Sequence, residues 1–205
     1  MENRTRELLG TVLAIDQPRL VVIAGPNGAG KTTFYEAFLA SLPLPFVNAD
    51  QIARTLAPED PASIAYGAAE VADRERRELL SLRRSFIMET VFSDPAGDKL
   101  AFLRGAQNAG YSVILLFIGI ESPDLSILRV TQRALEGGHD VPPDKLQQRF
   151  PRTQRNLEAA LHFVDVALVF DNSSLDQPYR HIATWHDGHE IFRDPAAPAW
   201  CPSGV

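Results

Sequence analysis

Leu20-Val21-Val22-Ile23-Ala24-Gly25-Pro26-Asn27-Gly28-Ala29-Gly30-Lys31-Thr32-Thr33 decides the fold. A short apolar run of strand length passes directly into G-x-x-x-x-G-K-[ST], and helix formers follow from Lys31 to about Ala40. Strand, Gly-rich turn and helix form the context in which this pattern makes a phosphate cradle. The glycines let the backbone wrap a phosphate with its N–H groups inward, and the helix N-terminus adds the positive end of its dipole. Lys31 is placed to bridge β- and γ-phosphates, and the Thr32 hydroxyl to reach Mg²⁺. Gly25 to Thr33 are therefore the expected nucleotide-binding residues, with ATP and Mg²⁺ as the ligands.

Outward from this loop, apolar runs alternate with helical patterns, as in βαβ units around a mainly parallel sheet. Further strands are expected at Pro45–Asn48, Ser85–Met88, Tyr111–Ile118 and Val166–Phe170, making five with Leu20–Ala24. Helices are expected at Ala49–Leu56, over Pro61–Leu82 as one long solvated helix, and at Lys99–Asn108. Ser122 and Pro123 start another that runs to about Glu136. Gly137-Gly138-His139-Asp140-Val141-Pro142-Pro143 breaks it, and a new helix runs from near Asp144 to about Phe163. Two helices joined by such a break suggest a lid over about 129–160. Tyr179 to Phe192 reads as a hairpin turning at Asp187-Gly188, and 194–205 as a frayed tail. The fold class is α/β, a three-layer P-loop kinase type with a mainly parallel five-stranded sheet, a helical lid and a C-terminal hairpin, in one domain spanning 1–205.

The bulk properties agree with such a domain. With 45% apolar and 22% charged residues among 205, a folded core is expected. A net charge of −6 argues against nucleic-acid binding by broad electrostatics. The single cysteine, Cys201, excludes an intrachain disulfide and suits a reducing compartment. Neither a signal peptide nor a membrane span is evident, since the longest apolar run is Val113–Ile120, so a cytoplasmic location is expected.

A P-loop alone does not separate kinase from switch or motor. There is no N-K-x-D guanine reader, and Leu135-Glu136-Gly137-Gly138-His139 lacks both the Ser and the Gln of L-S-G-G-Q. Apolar strands end as Met88-Glu89-Thr90 and Phe170-Asp171-Asn172, not in Asp-Glu. Small-molecule kinases tolerate that absence best. In a parallel sheet the carboxyl ends face one crevice, which puts Asp50 and Glu89 beside the cradle. Asp50 is a candidate base for the acceptor hydroxyl or an N-cap of the next helix. Glu89, with Thr90, is a candidate substrate contact, or Glu89 a structural hydrogen-bonding residue.

Arg129 and Arg133 before the Gly-Gly break, and Arg149, Arg152 and Arg155 after it, are either lid cations for the transferring phosphoryl or surface charges paired with Glu136, Asp144 or Glu158. His139 reads as a loop-shaping residue rather than a metal ligand. Asn172 and Ser173 either lie near the adenine or form a turn.

The cradle, Phe46-Val47-Asn48-Ala49-Asp50, Phe86-Ile87-Met88-Glu89-Thr90, Arg129 to Arg133 with Gly137-Gly138-His139-Asp140-Val141-Pro142, and Val169-Phe170-Asp171-Asn172-Ser173 occur in that order. Together, over roughly Leu20 to Ser173, they resemble the zeta-toxin-like P-loop kinases, whose best-known members phosphorylate UDP-N-acetylglucosamine and are held inactive by an antitoxin. The resemblance implies a kinase acting on a small hydroxyl acceptor such as a UDP-sugar, with an antitoxin protein as partner. It implies Asp50 as base, Glu89 as substrate contact and Arg133 as γ-phosphate contact. The family's second phosphate-binding arginine is replaced near His139, and its role passes to Arg149 or Arg152. The chain is shorter than the well-studied toxins, so the acceptor extends to other sugar nucleotides or metabolites. The alternative class is a nucleotide-binding ATPase module that regulates a protein partner.

Overall fold

Long uninterrupted apolar runs make sense only for strands covered on both faces, and this sheet is covered on both. The computed structural model describes residues 2–14, 17–136 and 141–204. The elements run α1 (Glu2–Leu13), β1 (Arg19–Ala24), α2 (Lys31–Phe38), β2 (Phe46–Val47), α3 (Ala49–Leu56), a 3-10 turn (Pro61–Ile64), α4 (Ala65–Ser81) and β3 (Phe86–Thr90). Then come α5 (Asp98–Asn108), β4 (Ser112–Gly119), α6 (Pro123–Leu135), α7 (Pro143–Leu161), β5 (Val166–Asp171), β6 (Arg180–His186) and β7 (His189–Arg193). The strand order is β2-β3-β1-β4-β5-β6-β7. The first five strands in the chain are parallel, and β6 and β7 add antiparallel at one edge.

Alternate residues of the central strands feed two cores. Leu20, Val22, Val113, Leu115, Phe117, Ala167 and Val169 pack on one face with α4, α5 and the second half of α7. Val21, Ile23, Ile114, Leu116, Ile118, Leu168 and Phe170 pack on the other with α1, α2 and Phe150 of α7. A satellite cluster of Ile127, Val130, Val141 and Leu146 clips α6 to α7 on either side of the Gly-Gly break. The break itself, 137–140 with His139, lies outside the described residues.

Several expectations change. The hairpin, which does turn at Asp187-Gly188, joins the main sheet, so the sheet has seven strands rather than five. Positive φ at both turn residues (48° and 80°) matches the twist of the flanking strands. Helix α1 was not expected. Leu9 and Leu13 pack it on the sheet, and the Arg6 guanidinium donates to the Ala37 carbonyl at 2.7 Å.

The solvated helix over Pro61–Leu82 is a 3-10 turn capped by Asp60 followed by α4, and Arg76 on α4 is buried against Phe102 rather than solvated. The tail does not fray: the Trp200 ring packs 6.2 Å from that of Phe117, and Cys201 is buried. Gly119 makes the Trp200 seat, since a Cβ there would fall 2.0 Å from the indole. Among the described residues, no helix is long and apolar enough to cross a membrane.

Candidate active site

The cradle lies between β1 and α2, where the sheet order sends β3 to one side of β1 and β4 to the other. That reversal opens a crevice at the carboxyl ends of the strands. Gly25 crosses the end of β4 so closely that a Cβ would lie 2.0 Å from the Ile118 carbonyl oxygen. Gly30, at φ 87°, starts α2, and a Cβ there would meet the Asn172 amide and the Tyr179 hydroxyl within 3 Å.

The carbonyls of the loop are engaged by side chains around it. The Pro26 carbonyl accepts from Lys31 Nζ at 3.0 Å and the Asn27 carbonyl from Ser126 Oγ at 2.7 Å. The Gly28 carbonyl accepts from Arg129 at 3.4 Å, the Ala29 carbonyl from Asn172 Nδ2 at 2.8 Å, and the Gly30 carbonyl from the Tyr179 hydroxyl at 3.0 Å. Arg129 also donates to the carbonyls of Asn172 (2.8 Å) and Ser173 (3.2 Å), and the Asn172 side chain accepts from Tyr179 N.

This clasp corrects two readings. Arg129 holds the back of the loop and is not a lid cation. Asn172 is a latch rather than an adenine contact, while Ser173 closes a turn on Asp171. The Asn172→Ala variant loses two of these bonds. It is expected to weaken Mg-ATP binding about tenfold, near 1.4 kcal/mol. Calorimetric titration checks this, and unchanged affinity would mean the loop keeps its shape without the latch.

Lys31 is 7% exposed, and burial pushes its ammonium below the usual range. The carboxylates of Glu89 and Asp50 act upward and Arg133 downward, so all three charges lie within electrostatic reach of this ammonium. The Thr32 hydroxyl donates to Glu89 at 3.0 Å, and Asn48 Nδ2 donates to the same carboxylate at 2.8 Å. The Asn48 Oδ1 atom caps α3, accepting from the N–H groups of Asp50 (2.8 Å) and Gln51 (3.1 Å). Asn48 is therefore the N-cap, and the Asp50 carboxylate is left exposed in the first turn. Thr33 is exposed. Thr90 lines the cleft beyond, although its hydroxyl accepts from Phe92 N at 3.0 Å and shapes the turn after β3.

Of the arginines, Arg133 comes within electrostatic reach of Lys31. Arg149 and Arg152 are half-buried on α7, and Arg155 is exposed. Among the described residues no hydrogen bond or ion pair ties the Arg149 or Arg152 side chain to the cradle. From Thr153 onward α7 is anchored, with the Thr153 hydroxyl on the Val91 carbonyl (2.9 Å) and Asn156 on those of Phe92 (3.0 Å) and Asp94 (3.1 Å). Both the start of α6 and the second half of α7 are thus fixed. Beyond the cradle, a cleft of about 640 Å³ opens between α3, α4 and the end of β3, with Asp50 and Glu89 in its wall.

Ser126, Asn48 and Tyr179 escaped the sequence reading. Asn48 carried a signal, as an N-cap residue type immediately before a helix. Tyr179 carried none, being 149 positions from the carbonyl it holds.

Comparison with known proteins fits this architecture. The chain of an uncharacterized protein of Haemophilus influenzae is 25% identical over 138 residues, covering 67% of this chain and 96% of its own. Among solved structures, the AvrRxo1-ORF1:-ORF2 complex with ATP matches with a TM-score of 0.57 at 18% identity, over 90% of this chain and 63% of that one. The PezAT chromosomal toxin–antitoxin system of Streptococcus pneumoniae matches with a TM-score of 0.56 at 15% identity, over 89% and 80%. At such identities these structural likenesses speak for the fold. A family model described as Zeta toxin matches residues 10–181, a span that holds the cradle, Asp50, Glu89 and Arg133. The chain belongs to the zeta toxin family.

Proposed function

We propose that this protein is a kinase that moves the γ-phosphoryl group of Mg-ATP to a hydroxyl of a small acceptor, with a nucleotide sugar as the favoured class. The observation that carries this reading is the placement of an uncapped, exposed Asp50 carboxylate between the phosphate cradle and a separate cleft. A hydrolytic or switch module has no need of a second cleft with a carboxylate at the phosphate end. The ATP-bound relative, the family and the relative that is a toxin–antitoxin system also support a nucleotide-using enzyme with an antitoxin as protein partner.

In this reading the cradle N–H groups and Lys31 hold the β- and γ-phosphates, which fixes the donor in line with the cleft. Asp50 accepts the proton of the acceptor hydroxyl as its oxygen bonds to phosphorus. Asn48 holds Glu89 in place, and Glu89 orients acceptor hydroxyls or water beside Thr32. Arg133, joined by Arg149 or Arg152, meets the negative charge on the transferring oxygens.

The residues also fit Mg²⁺. Thr32 and Glu89 supply the oxygen donors this ion prefers, and among the described residues no cluster of three or more His, Cys, Asp or Glu forms a cage of its own. Phosphate oxygens and water would complete its shell, and when bound the ion neutralises charge on the β- and γ-phosphates. The test is ADP release from Mg-ATP with and without a panel of sugar nucleotides and small hydroxyl metabolites. Acceptor-dependent release is the expected result. Release indifferent to every acceptor would move the assignment to a partner-regulated ATPase.

A further inference from the structure

The clasp behind the cradle is held in turn from the C-terminal tail. Tyr179, whose hydroxyl donates to the Gly30 carbonyl at 3.0 Å, has a φ of 53°. That left-handed conformation is costly for a bulky side chain and persists only where the surroundings impose it. On one side of it the Asn172 Oδ1 atom accepts from Tyr179 N at 3.2 Å. On the other side stands Arg180, the first residue of β6, whose guanidinium is tied three ways. It reaches Asp171 at the end of β5 at 3.4 Å and, in the tail, Asp194 at 3.6 Å and the Ala196 carbonyl at 3.1 Å. The side chains of Arg180, Asp171 and Asp194 are only 23%, 12% and 27% exposed, so these pairs are screened less than pairs on the open surface.

The tail meets the same clasp a second time. The Trp200 indole sits on Gly119, where a Cβ would fall 2.0 Å from it. The Gly119 carbonyl accepts from Asn172 N at 2.9 Å, and the Asn172 side chain donates onward to the Ala29 carbonyl at 2.8 Å. Gly119 thus stands between Trp200 and the latch. The tail has a fixed course of its own, with Asp194 N on the Ile182 carbonyl (2.8 Å), Ala197 N on the Asp194 carbonyl (2.9 Å) and Gly204 N on the Glu190 carboxylate (2.7 Å). It lies outside the span matched by the zeta toxin family.

We propose that Arg180 is a positioning residue for the nucleotide: braced by the tail, it holds Tyr179 and Asn172 in the shape the cradle needs, so that residues 194–204 set the affinity for Mg-ATP through the clasp. The proposal rests on the reading of the cradle as an ATP site, and it is independent of the acceptor. A guanidinium presents its donors in one rigid plane, and acceptors from both β5 and the tail therefore fix the course of the chain at Tyr179. Without that brace the left-handed residue relaxes, the Gly30 carbonyl loses its holder, and the loop samples more shapes before ATP arrives. Binding must then supply the ordering that the brace supplies in the parent.

The test is calorimetric titration of Mg-ATP, without acceptor, into the parent and its variants well below their melting temperatures. Arg180→Lys keeps a positive charge between Asp171 and Asp194, but a single ammonium lacks the planar fork that spans acceptors on both sides. Its Kd is expected to rise about fivefold, within the range for residues that modulate binding from outside a site. Trp200→Ala is expected to weaken binding as well. Trp200→Phe is expected to restore it, because a ring is kept and the lost Nε1 is buried with no hydrogen-bond acceptor among the described residues. A Kd unchanged in Arg180→Lys and Trp200→Ala would overturn the brace, and Arg180→Lys decides alone if Trp200→Ala does not fold.

A double-mutant cycle separates positioning from mere stability. In Tyr179→Phe the bond to Gly30 is already gone, so adding Arg180→Lys is expected to raise Kd by at most about twofold more. A further rise of about fivefold would overturn the route through Tyr179. In turnover Arg180→Lys should raise KM for ATP with kcat little changed, since Asp50 and Arg133 are untouched. Turnover that needs no acceptor, in a protein whose Kd still follows Arg180, would remove the kinase and leave the brace standing. Acceptor-dependent turnover with a Kd indifferent to Arg180→Lys and Trp200→Ala would do the reverse.

Discussion

In Asp50→Asn, acceptor-dependent ADP release is expected to fall by about 10² to 10⁴-fold, the range associated with a lost general base, while Mg-ATP binds as tightly as before. The substitution is nearly isosteric, and nothing structural depends on the lost charge. The cap of α3 belongs to Asn48, whose Oδ1 atom holds the first N–H groups of that helix. The side chain of Asp50 is exposed, so folding stability should stay within about 0.5 kcal/mol of the parent. Its carboxylate reaches the cradle through its field on Lys31. Removing a negative charge from beside a polyphosphate can only maintain or improve nucleotide affinity. Calorimetric titration and a coupled ADP assay on the same preparation separate the two quantities. Equal loss of binding and transfer would show that Asp50 organises the cradle instead of acting on the acceptor.

Lys31→Met is expected to abolish nucleotide binding and yet make the ligand-free protein more stable. The parent buries an ammonium that is attracted by a backbone carbonyl at 3.0 Å and by the fields of Glu89 and Asp50. Burial is the largest influence on it and depresses its pKa, so the charged form is penalised in the folded state. Methionine fills similar space without that penalty. A gain of about 1 kcal/mol would raise Tm by about 2–4 °C in a domain of this size.

The sign with pH follows from the direction of the shift. Because the folded-state pKa lies below the ordinary 10.5, the unfolded chain binds the proton more readily between the two values, and stability of the parent rises with pH through that window. The advantage of Lys31→Met should therefore be full below the depressed value and shrink as pH climbs toward 10.5. Tyr35, Tyr111, Tyr179 and Cys201, which burial pushes upward, are present in both proteins and cancel in the difference. Saturating Mg-ATP should reverse the ranking, since binding at 100 times Kd adds about 2.7 kcal/mol to the parent and nothing to the variant. A variant that kept its ATP-induced Tm shift would remove Lys31 from the phosphate site.

Functional cost and structural cost meet at the same residues in this site. Lys31 is poorly suited to the folded chain by itself, and its buried ammonium becomes favourable against a charged ligand. The clasp behind the cradle is of the opposite kind. Ser126, Arg129, Asn172 and Tyr179 satisfy backbone carbonyls in the absence of any ligand, and they keep the loop in one shape before ATP arrives. Preorganisation of this sort lowers the ordering cost of binding.

Much of the architecture could be read from local pattern. The order of strands and helices from β1 to β5, the cradle, and the placement of Asp50 and Glu89 at strand ends follow from apolar runs, Gly-rich turns and the geometry of parallel sheets. Each is a statement about neighbours in the chain, and short-range physics suffices for it. Helix α1 was missed because its burial is restricted to a few positions, Thr5, Leu9 and Leu13, within a strongly polar segment. The tail was misread because Pro and Ala suggest fraying, while its hold comes from Trp200 seated on Gly119, 81 positions earlier. The α4 charges looked uniformly solvated, yet one turn of the helix carries Arg76 into the wall beside Phe102.

The sequence by itself determined that this chain forms a P-loop α/β domain with Lys31 and Thr32 at a phosphate site, because a strand, a glycine turn and a helix N-terminus are contiguous. Tertiary structure alone decided which polar residues serve the loop and which serve the ligand. Arg129 and Arg133 are one helical turn apart and alike in sequence, but the packing of α6 on the cradle sends the first to backbone carbonyls and leaves the second in the field of Lys31. Lys99 and Arg76 are 23 positions apart, and only the stacking of α4 and α5 on one face of the sheet brings them to the same cleft. Partner choice among distant polar groups is a property of packing, which no local pattern of residues encodes.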